Sequence, residues 1–253
     1  MNGEPTTAEG RYLYAVVGAD QARDSYGAVG IEGGAVYSIT NGQTAAVVSN
    51  VPDRRIRPSR RHLAAHHNLL KSLADEGALL PMSFGIIAHG SEAVRTVLSA
   101  NHALLVAQLR RVHNKVEMGL RVSWDVPNIF EYFVNTHPEL RARRDRLFRA
   151  GREPGQVEKI ELGRLFDRLL KEDLSAHTER VADVLRPRCF EIERNPPRDE
   201  REVMNLACLI GRDAQEEFEK RIFEAAEGFD NNYRFDFNGP WPPYNFVNVD
   251  LQM

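Results

Sequence analysis

The order of strand-like and helix-like segments in the second half of the chain constrains the fold more than any other sequence feature. Alternating apolar residues at Val116, Met118, Leu120 and Val122 predict a strand with one buried face. The segments that follow predict a helix at 157–186, strands at 189–194 and 203–210, a helix at 213–226 and a strand at 233–237. This β-α-β-β-α-β order, with an additional helical piece after its first strand, is that of the ferredoxin-like fold, a name that describes topology and implies no iron.

The first half of the chain reads as strands followed by helices. Short segments rich in β-forming residues are separated by glycine or by Asn41-Gly42, a dipeptide typical of two-residue type I′ hairpin turns. They predict an antiparallel β-meander with strands at 11–18, 27–33, 35–40 and 44–51. A helix at 59–76, a buried strand at 78–88 and a helix at 91–112 are predicted next. We therefore predict an α+β protein of two domains: 1–112, and 113–253 with an aromatic and proline-rich C-terminal tail.

Composition and charge argue against several classes of protein. The formal net charge is −3 and the sequence pI is near 6.3, whereas proteins built to grip nucleic acid carry a basic excess. Arginines cluster at 54–61 and at 141–152, and such charge runs are usually solvated faces. No secretory leader and no apolar run of about 18 residues is present. We expect a soluble, cytoplasmic protein with no nucleic-acid or membrane partner and with reduced Cys189 and Cys208.

Residues with catalytic potential occur without the motifs that would make them catalytic. His62 and His66 have the i, i+4 spacing of HEXXH zinc sites, but the residues between them lack the glutamate of that motif. Cys189 shares a predicted strand face with Glu191 and Glu193, and an acidic neighbourhood disfavours the reactive thiolate. No phosphate-binding glycine loop is present. We therefore expect no catalytic residue, no metal and no cofactor.

The segment YRFDFNGPWPPYNFV, residues 233–247, is unusual near a chain end because it holds six aromatic residues and three prolines. The alternation in YRFDF predicts a strand that buries one face, and the prolines favour a stiff, extended continuation. Burying each large ring is worth roughly 1.5–3 kcal/mol. We predict a structural clasp laid across the rest of the protein and formed by Tyr233, Phe235, Phe237, Gly239, Pro240, Trp241, Pro242, Pro243, Tyr244 and Phe246. The alternative is an exposed aromatic patch for a partner.

Three segments resemble the gas vesicle protein F/L family (GvpF/GvpL). RYLYAVV is similar to the start of family members, and YRFDFNGPWPPYNFV is similar to their C-terminal GPWPPY block. Between them, LAAHHNLLKSLADEGALLPMSFGIIA is similar to a histidine-bearing helix followed by an LPxxFG strand, here with Leu80, Pro81, Phe84 and Gly85. The resemblance spans roughly residues 11–248. Met82-Ser83 departs from the basic residue expected before the phenylalanine, which argues against a binding site there.

The resemblance implies a non-enzymatic, chaperone-like accessory or minor structural protein needed to build gas vesicles, the hollow protein-walled buoyancy organelles of some prokaryotes. It implies that the protein acts at the gas vesicle, where it binds the hydrophobic main shell protein, and other accessory proteins, and limits shell-protein aggregation during nucleation. The implied fold is an α+β N-terminal domain and a modified ferredoxin-like C-terminal domain. The alternative is a small-molecule-binding protein or an enzyme that uses the ferredoxin-like domain.

We also hypothesise that the N-terminal domain supplies much of the contact with the shell protein. Its predicted meander has at least one edge, to which a strand or a hydrophobic partner can add. Two helices cover the predicted C-terminal sheet, so we expect less free apolar surface on that domain.

Overall fold

The structure, a computed structural model that describes residues 9–149 and 154–248, divides by its internal contacts into two units. The first unit combines the residues up to Glu117 with those from Gly239 onward, and the second runs from Met118 to Asn238. The sequence-based division at residue 112 had assigned the C-terminal tail to the second domain. The contacts of the tail group it with the first unit instead.

The first unit contains an antiparallel sheet and three described α-helices. Its elements are β1 (Glu9–Gly18), β2 (Val36–Asn41), β3 (Thr44–Pro52), α1 (Arg60–Glu76), β4 (Leu79–Pro81), β5 (Ile87–Ala88), α2 (Gly90–Ala100) and α3 (His102–Val112). The strand order is β2-β3-β1-β4, and β5 also pairs with β1. The predicted meander is therefore wrong, because β3 and not β2 lies beside β1. The segment predicted as a strand at 27–33 forms a short 3-10 turn at Ile31–Gly33, which leaves β2 to form a hairpin with β3.

Strand β1 is buried on both faces of the sheet. Its Tyr12, Tyr14 and Val17 pack in a core with α1, whereas Leu13 and Val16 pack in a second core with α2 and α3. A register shift between Leu13 and Ala15 inserts Tyr14 as an extra residue in the pairing with β3. Because both faces are covered, the strand reads as a continuous apolar run without alternation.

Local details of the first unit differ from the prediction at three places. Asn41 still pairs in the β2–β3 ladder, so the hairpin turn begins at Gly42. Of the two central residues, Gly42 has a positive φ of 58° and Gln43 does not have a positive φ, so the turn is not type I′. The helix predicted at 91–112 is divided at Asn101 into α2 and α3. The strand predicted at 78–88 is two short strands, β4 and β5.

The edges of the first sheet are covered or short. On β2, the backbone N–H of Val36 donates to Gly27 O at 2.9 Å, and Val36 O accepts from Tyr26 N at 2.8 Å. The N–H of Ser38 donates to Arg23 O at 2.9 Å. At the other edge, β4 and β5 have three and two residues. The edge that motivated the N-terminal binding hypothesis is therefore largely occupied.

The second sheet contains the four strands predicted in the second half of the chain. Its elements are β6 (Lys115–Trp124), α4 (Ile129–Thr136), α5 (Pro138–Leu147), α6 (Gln156–Leu185), β7 (Glu191–Asn195), β8 (Glu202–Gly211), α7 (Gln215–Ala226) and β9 (Tyr233–Trp241). The strand order is β7-β8-β6-β9, and β7 and β8 are antiparallel. Pro138 opens α5 and separates it from α4. Among the described helices, none has the length and apolarity that a membrane crossing needs.

The second unit exposes more large apolar side chains than expected. Of the eleven exposed large apolar side chains among the described residues, seven belong to this unit: Phe130, Phe148, Val157, Ile160, Phe190, Phe223 and Phe237. Helix α7 buries Phe218 and Ile222 but turns Phe223 outward with 59% exposure. The expectation of less free apolar surface on this part of the chain than on the first is therefore wrong.

Candidate functional site

The tail, defined here as residues 239–248, begins with the last three residues of β9 and belongs by its contacts to the first unit. Gly239 has a φ of 133°, a backbone conformation that favours glycine. Phe246 is only 2% exposed, and Pro242 and Pro243 are buried. Trp241 is half-buried. The ring that the tail buries most completely is therefore Phe246 and not Trp241.

His67 on helix α1 meets two rings of the tail. Its imidazole centroid lies 5.4 Å from that of Trp241 and 6.3 Å from that of Tyr244. The Tyr244 hydroxyl lies 3.2 Å from His67 Nδ1, within hydrogen-bonding distance. Burial, with a smaller contribution from the Glu117 charge, raises the pKa of Tyr244 to about 12. The phenol therefore keeps its proton at neutral pH, although the side chain is 39% exposed.

Glu117, at the start of β6, is a buried carboxylate that binds the tail. It is 5% exposed, and its Oε2 accepts from the backbone N–H of Asn245 at 2.8 Å. Its Oε1 accepts from Asn245 Nδ2 at 2.6 Å. Burial raises the pKa of Glu117 above its ordinary value, and the two hydrogen bonds from Asn245 oppose that shift. A buried carboxylate without such donors is costly, so Asn245 and Glu117 depend on each other.

Arg111, in the last turn of α3, adds a contact to the tail main chain. Its Nη1 donates to Phe246 O at 3.2 Å. Together with the Asn245 amide, this bond fixes the backbone on both sides of the peptide that joins Asn245 to Phe246. The tail is therefore held by one deep ring and by directed hydrogen bonds to the first unit.

The histidine-bearing helix and the LPxxFG segment meet in a closed hydrogen-bond network. His66 Nε2 donates to Met82 O at 3.1 Å, because a carbonyl only accepts. Tyr12 Oη lies 3.0 Å from His66 Nδ1 and accepts from the N–H of Gly85 at 3.1 Å. Burial lowers the pKa of His66 and raises that of Tyr12 to about 12. If the imidazole is neutral, its Nδ1 accepts a hydrogen bond from the Tyr12 hydroxyl while its Nε2 donates to Met82 O, so His66, Tyr12 and the N–H of Gly85 each have a hydrogen-bond partner.

The remaining residues of the LPxxFG segment contribute to both cores of the first unit, because Leu80 packs with α2 and α3 and Phe84 packs in the core that contains Tyr12. Leu80 is fully buried in β4, where Pro81 pairs with Ala15 of β1. The Phe84 ring lies 5.8 Å from Tyr12 and 5.7 Å from His66 between centroids. Gly85 has a φ of 93°, which a residue with a side chain rarely adopts. The segment therefore closes the aromatic core of the first unit.

The two histidines with metal-site spacing do not converge. His66 is 7% exposed and turns into the core. His62 Nδ1 instead lies 3.0 Å from Arg57 O. Over residues 9–149 and 154–248, no cluster of three or more His, Cys, Asp or Glu side chains is placed to hold a metal ion.

The aromatic face of β9 is less buried than the alternation predicted. Tyr233 and Phe235 are half-buried, and Phe237 is 37% exposed. Tyr233 Oη lies 3.2 Å from His177 Nε2, and the Phe235 ring lies 5.1 Å from that of Phe229. These rings pack in the second unit, whereas the rings from Trp241 onward pack in the first.

Sequence reasoning missed the residues that receive the tail. Glu117 lies between Val116 and Met118 in an alternating strand pattern, which predicts a solvent-facing side chain. Its partner Asn245 is 128 residues away, and no local pattern reports such a pairing. The available signal was Asn245 itself, a polar residue between two aromatic residues in the most apolar part of the tail.

Comparison with known proteins gives consistent matches over nearly the whole chain. The family model described as "Gas vesicle synthesis protein GvpL/GvpF" matches residues 10–248. Gas vesicle protein F of Streptomyces sp. (strain CB03234) is 28% identical over 241 residues, which cover 93% of this chain and 98% of that protein. Gas vesicle protein F of Dolichospermum flosaquae is 25% identical over 224 residues, covering 87% and 91%.

A solved structure has the same fold. The crystal structure of the gas vesicle protein GvpF from Anabaena sp. PCC7120 matches with a TM-score of 0.84 and 23% sequence identity, covering 96% of this chain and 99% of that one. This likeness establishes a mixed α+β fold with antiparallel sheets. Because the family model matches almost every described residue, the chain belongs to the gas vesicle synthesis protein GvpL/GvpF family.

Proposed function

We propose that this protein is a non-enzymatic accessory protein that binds the hydrophobic main shell protein during gas vesicle assembly and limits its aggregation. Family membership supports a role in gas vesicle assembly and an association with gas vesicle components. The observation that carries the finer proposal is exposed aromatic surface on the second unit. An apolar partner is recognised through such surface, because covering it removes apolar area from water.

The surface that we propose for the shell protein is the aromatic patch, defined as Phe223 of α7 and Phe237 of β9. The two ring centroids lie 6.5 Å apart in an edge-to-face arrangement, and the side chains are 59% and 37% exposed. Strand β9 ends the second sheet, so a partner strand can pair with it beside the patch. Apolar contact and strand pairing together suit a hydrophobic chain that has not yet assembled.

The arrangement of the second unit favours this proposal over an enzyme. Its α5–α6 groove has a volume of about 410 Å³ and is lined in part by Arg143, Arg146 and Glu161. Burial shifts the pKa of Tyr132 upward and that of His177 downward, but neither side chain lines this groove. An active site normally brings perturbed groups and a cavity together.

Two structural proposals accompany the function. The second unit is a modified ferredoxin-like domain, supported by its element order and by the sheet order β7-β8-β6-β9. The tail is a structural clasp, supported by the buried ring of Phe246 and by the bonds between Asn245 and Glu117. The tail, residues 239–248, and the aromatic patch use different rings, so their roles can be tested separately, although the clasp as predicted from the sequence also included Phe237.

Aggregation of the main shell protein tests the function. Denatured shell protein is diluted into buffer with and without this full-length protein, and light scattering is followed. The wild type should suppress scattering, and the double variant Phe223→Ser/Phe237→Ser should lose most of that effect. The matched control Val29→Ser/Leu63→Ser changes two exposed apolar side chains of the first unit and should behave as wild type.

The outcomes separate the function from the surface. If the wild type fails to suppress scattering or to bind the shell protein, the proposed function is wrong. If the wild type suppresses scattering but both double variants retain the full effect, the function stands and the aromatic patch is the wrong surface.

A further inference from the structure

Five arginines between 54 and 61 form a cationic cluster: Arg54, Arg55, Arg57, Arg60 and Arg61. All five are exposed, and within the described residues none of their guanidinium groups has an ion-pair partner. The nearest carboxylate in sequence, Asp53, is bound by His89. This concentration of unpaired positive charge contrasts with the net charge of −3 for the whole chain.

The start of helix α1 increases the local positive potential. Ser59 is the N-cap, with its side chain accepting from His62 N, and Arg60 and Arg61 begin the helix without an acidic residue in the first turn. A helix N-terminus carries partial positive charge, so cations there are unfavourable and anions are favoured. Local rules of this kind are broken mainly at functional sites.

A cavity of about 470 Å³ lies against this cluster. Arg54, Arg55 and Arg57 line it, and Val51 and Ile56 give it an apolar wall. Val51 is 7% exposed, so the wall belongs to the packed core of the first unit. The cavity therefore combines guanidinium groups with an apolar surface of side-chain size.

One carboxylate of the chain reaches the same cavity. Glu32 lines it, and its Oε1 lies 3.8 Å from His62 Nε2. The backbone of Glu32 has a φ of 57°, a conformation uncommon for a residue with a side chain. The side chain is mostly exposed, so Glu32 is an internal anion at the cavity rim without a guanidinium partner.

We propose that this arginine-lined cavity binds an acidic segment of a partner protein, with carboxylates on the guanidinium groups and an apolar side chain against Val51 and Ile56. Guanidinium and carboxylate match in a two-pronged geometry. The apolar wall favours a peptide over a nucleic acid, and the negative charge of the whole chain opposes a polyanion that would extend beyond the cavity. The site lies in the first unit and is separate from the aromatic patch, so it does not depend on shell-protein binding.

Fluorescence anisotropy tests the site on the full-length protein. The probe is a short labelled peptide with glutamate at alternate positions and one central leucine. Binding should weaken as salt rises. The triple variant Arg54→Gln/Arg55→Gln/Arg57→Gln should weaken binding by roughly tenfold, since three partly exposed ion pairs are lost. Replacing the peptide leucine by serine should also weaken it.

Two control variants sharpen the test. Arg141→Gln/Arg146→Gln/Arg149→Gln removes the same charge from the other arginine-rich run and should leave peptide affinity unchanged. Glu32→Gln removes the competing carboxylate and should strengthen binding by a few fold.

Several results would overturn the proposal. Equal losses in the two triple variants would show a general charge effect instead of a site. The cluster would belong to a different partner if a single-stranded oligonucleotide, or anionic phospholipid vesicles, bound more tightly than the peptide and through the same three arginines. Absence of peptide binding at low salt would also rule it out. Circular dichroism of each variant checks that it is folded.

Discussion

Replacement of Phe246 by alanine tests whether one buried ring holds the tail. Complete truncation of a buried phenylalanine costs about 3–5 kcal/mol, and Phe246 is 2% exposed. Because the neighbouring Asn245 is exposed and Val247 is only half-buried, the surroundings can partly collapse, and we expect the lower end, about 3 kcal/mol. Tyr244 is 39% exposed and has one hydrogen bond to His67, so Tyr244→Ala should cost about 1 kcal/mol. Trp241→Ala should fall between the two.

The two tryptophans of the chain allow the effect to be located. Trp124 belongs to the second unit and Trp241 to the first. In a Trp124→Phe background, urea unfolding followed by fluorescence therefore reports on the environment of the tail. With a slope of about 2 kcal/mol per molar urea, Phe246→Ala should lower the midpoint by about 1.5 M and Tyr244→Ala by about 0.5 M.

A matched control uses the same substitution at an exposed site. Phe190 is 62% exposed in the second unit, so Phe190→Ala should leave the Trp241-reported midpoint nearly unchanged. The reasoning is refuted if Phe246→Ala has no larger effect than Phe190→Ala, or if Tyr244→Ala is the more damaging change. Either result would mean that the depth of burial does not set the contribution of each ring.

Three further predictions concern a buried carboxylate, a glycine with positive φ and a buried hydroxyl of the first unit. Burial raises the folded-state pKa of Glu117, so the contribution of this group to stability is fully present below its unfolded-state pKa and is lost as pH rises through its folded-state pKa. The urea midpoint of the wild type, compared with that of the non-titrating variant Glu117→Gln, should therefore fall as pH rises from about 4. A rise of the wild-type midpoint relative to that of the variant would contradict this prediction. Gly85→Ala should lower stability by about 1–2 kcal/mol in thermal unfolding, because φ is 93°; an unchanged midpoint would mean that the backbone relaxes. Tyr12→Phe leaves His66 Nδ1 and the N–H of Gly85 without their partner and should cost about 1–3 kcal/mol in urea unfolding, whereas a neutral result would show that water replaces the hydroxyl.

The second sheet could be predicted because each of its elements carries a local signal. The alternating residues of β6, from Val116 to Val122, are all buried as expected. Pro138 divides α4 from α5, because proline has no backbone N–H to continue a helix. Periodicity was sufficient to locate these elements, although the sheet order β7-β8-β6-β9 pairs β6 with two strands that are distant from it in the sequence.

The first sheet could not be ordered from the same signals. Strand β1 is buried on both faces, so its composition does not show which strand lies beside it. The segment at 27–33 contains a side chain that the core requires, since Ile31 is 2% exposed. A strand is not needed to bury it, because Ile31–Gly33 forms a 3-10 turn. Strand order depends on which distant segments pair, and local propensity contains no information on that choice.

The tail shows the same limit within a recognised motif. Its aromatic and proline content predicts a packed segment without showing which side chains are deepest, and in the structure Trp241 and Tyr244 remain partly open while Pro242 and Pro243 are buried. Ring depth is set by the shape of the receiving surface, which residues far away in the sequence create. Sequence composition therefore predicts that such a segment packs, and only the structure shows which side chain is the deepest.

Apolar packing also does not explain why the tail adopts one register. Its rings are similar in size, and a slipped alignment could still cover much of the same apolar area. A slip would, however, remove both Asn245 donors from Glu117 and leave a carboxylate that is 5% exposed without partners. Because an unpaired buried charge is far more costly than an imperfect apolar contact, Glu117 selects the register although its burial opposes folding at neutral pH. The hydrophobic residues thus supply most of the attraction, and one buried acid that sequence patterning assigned to solvent determines where the tail lies.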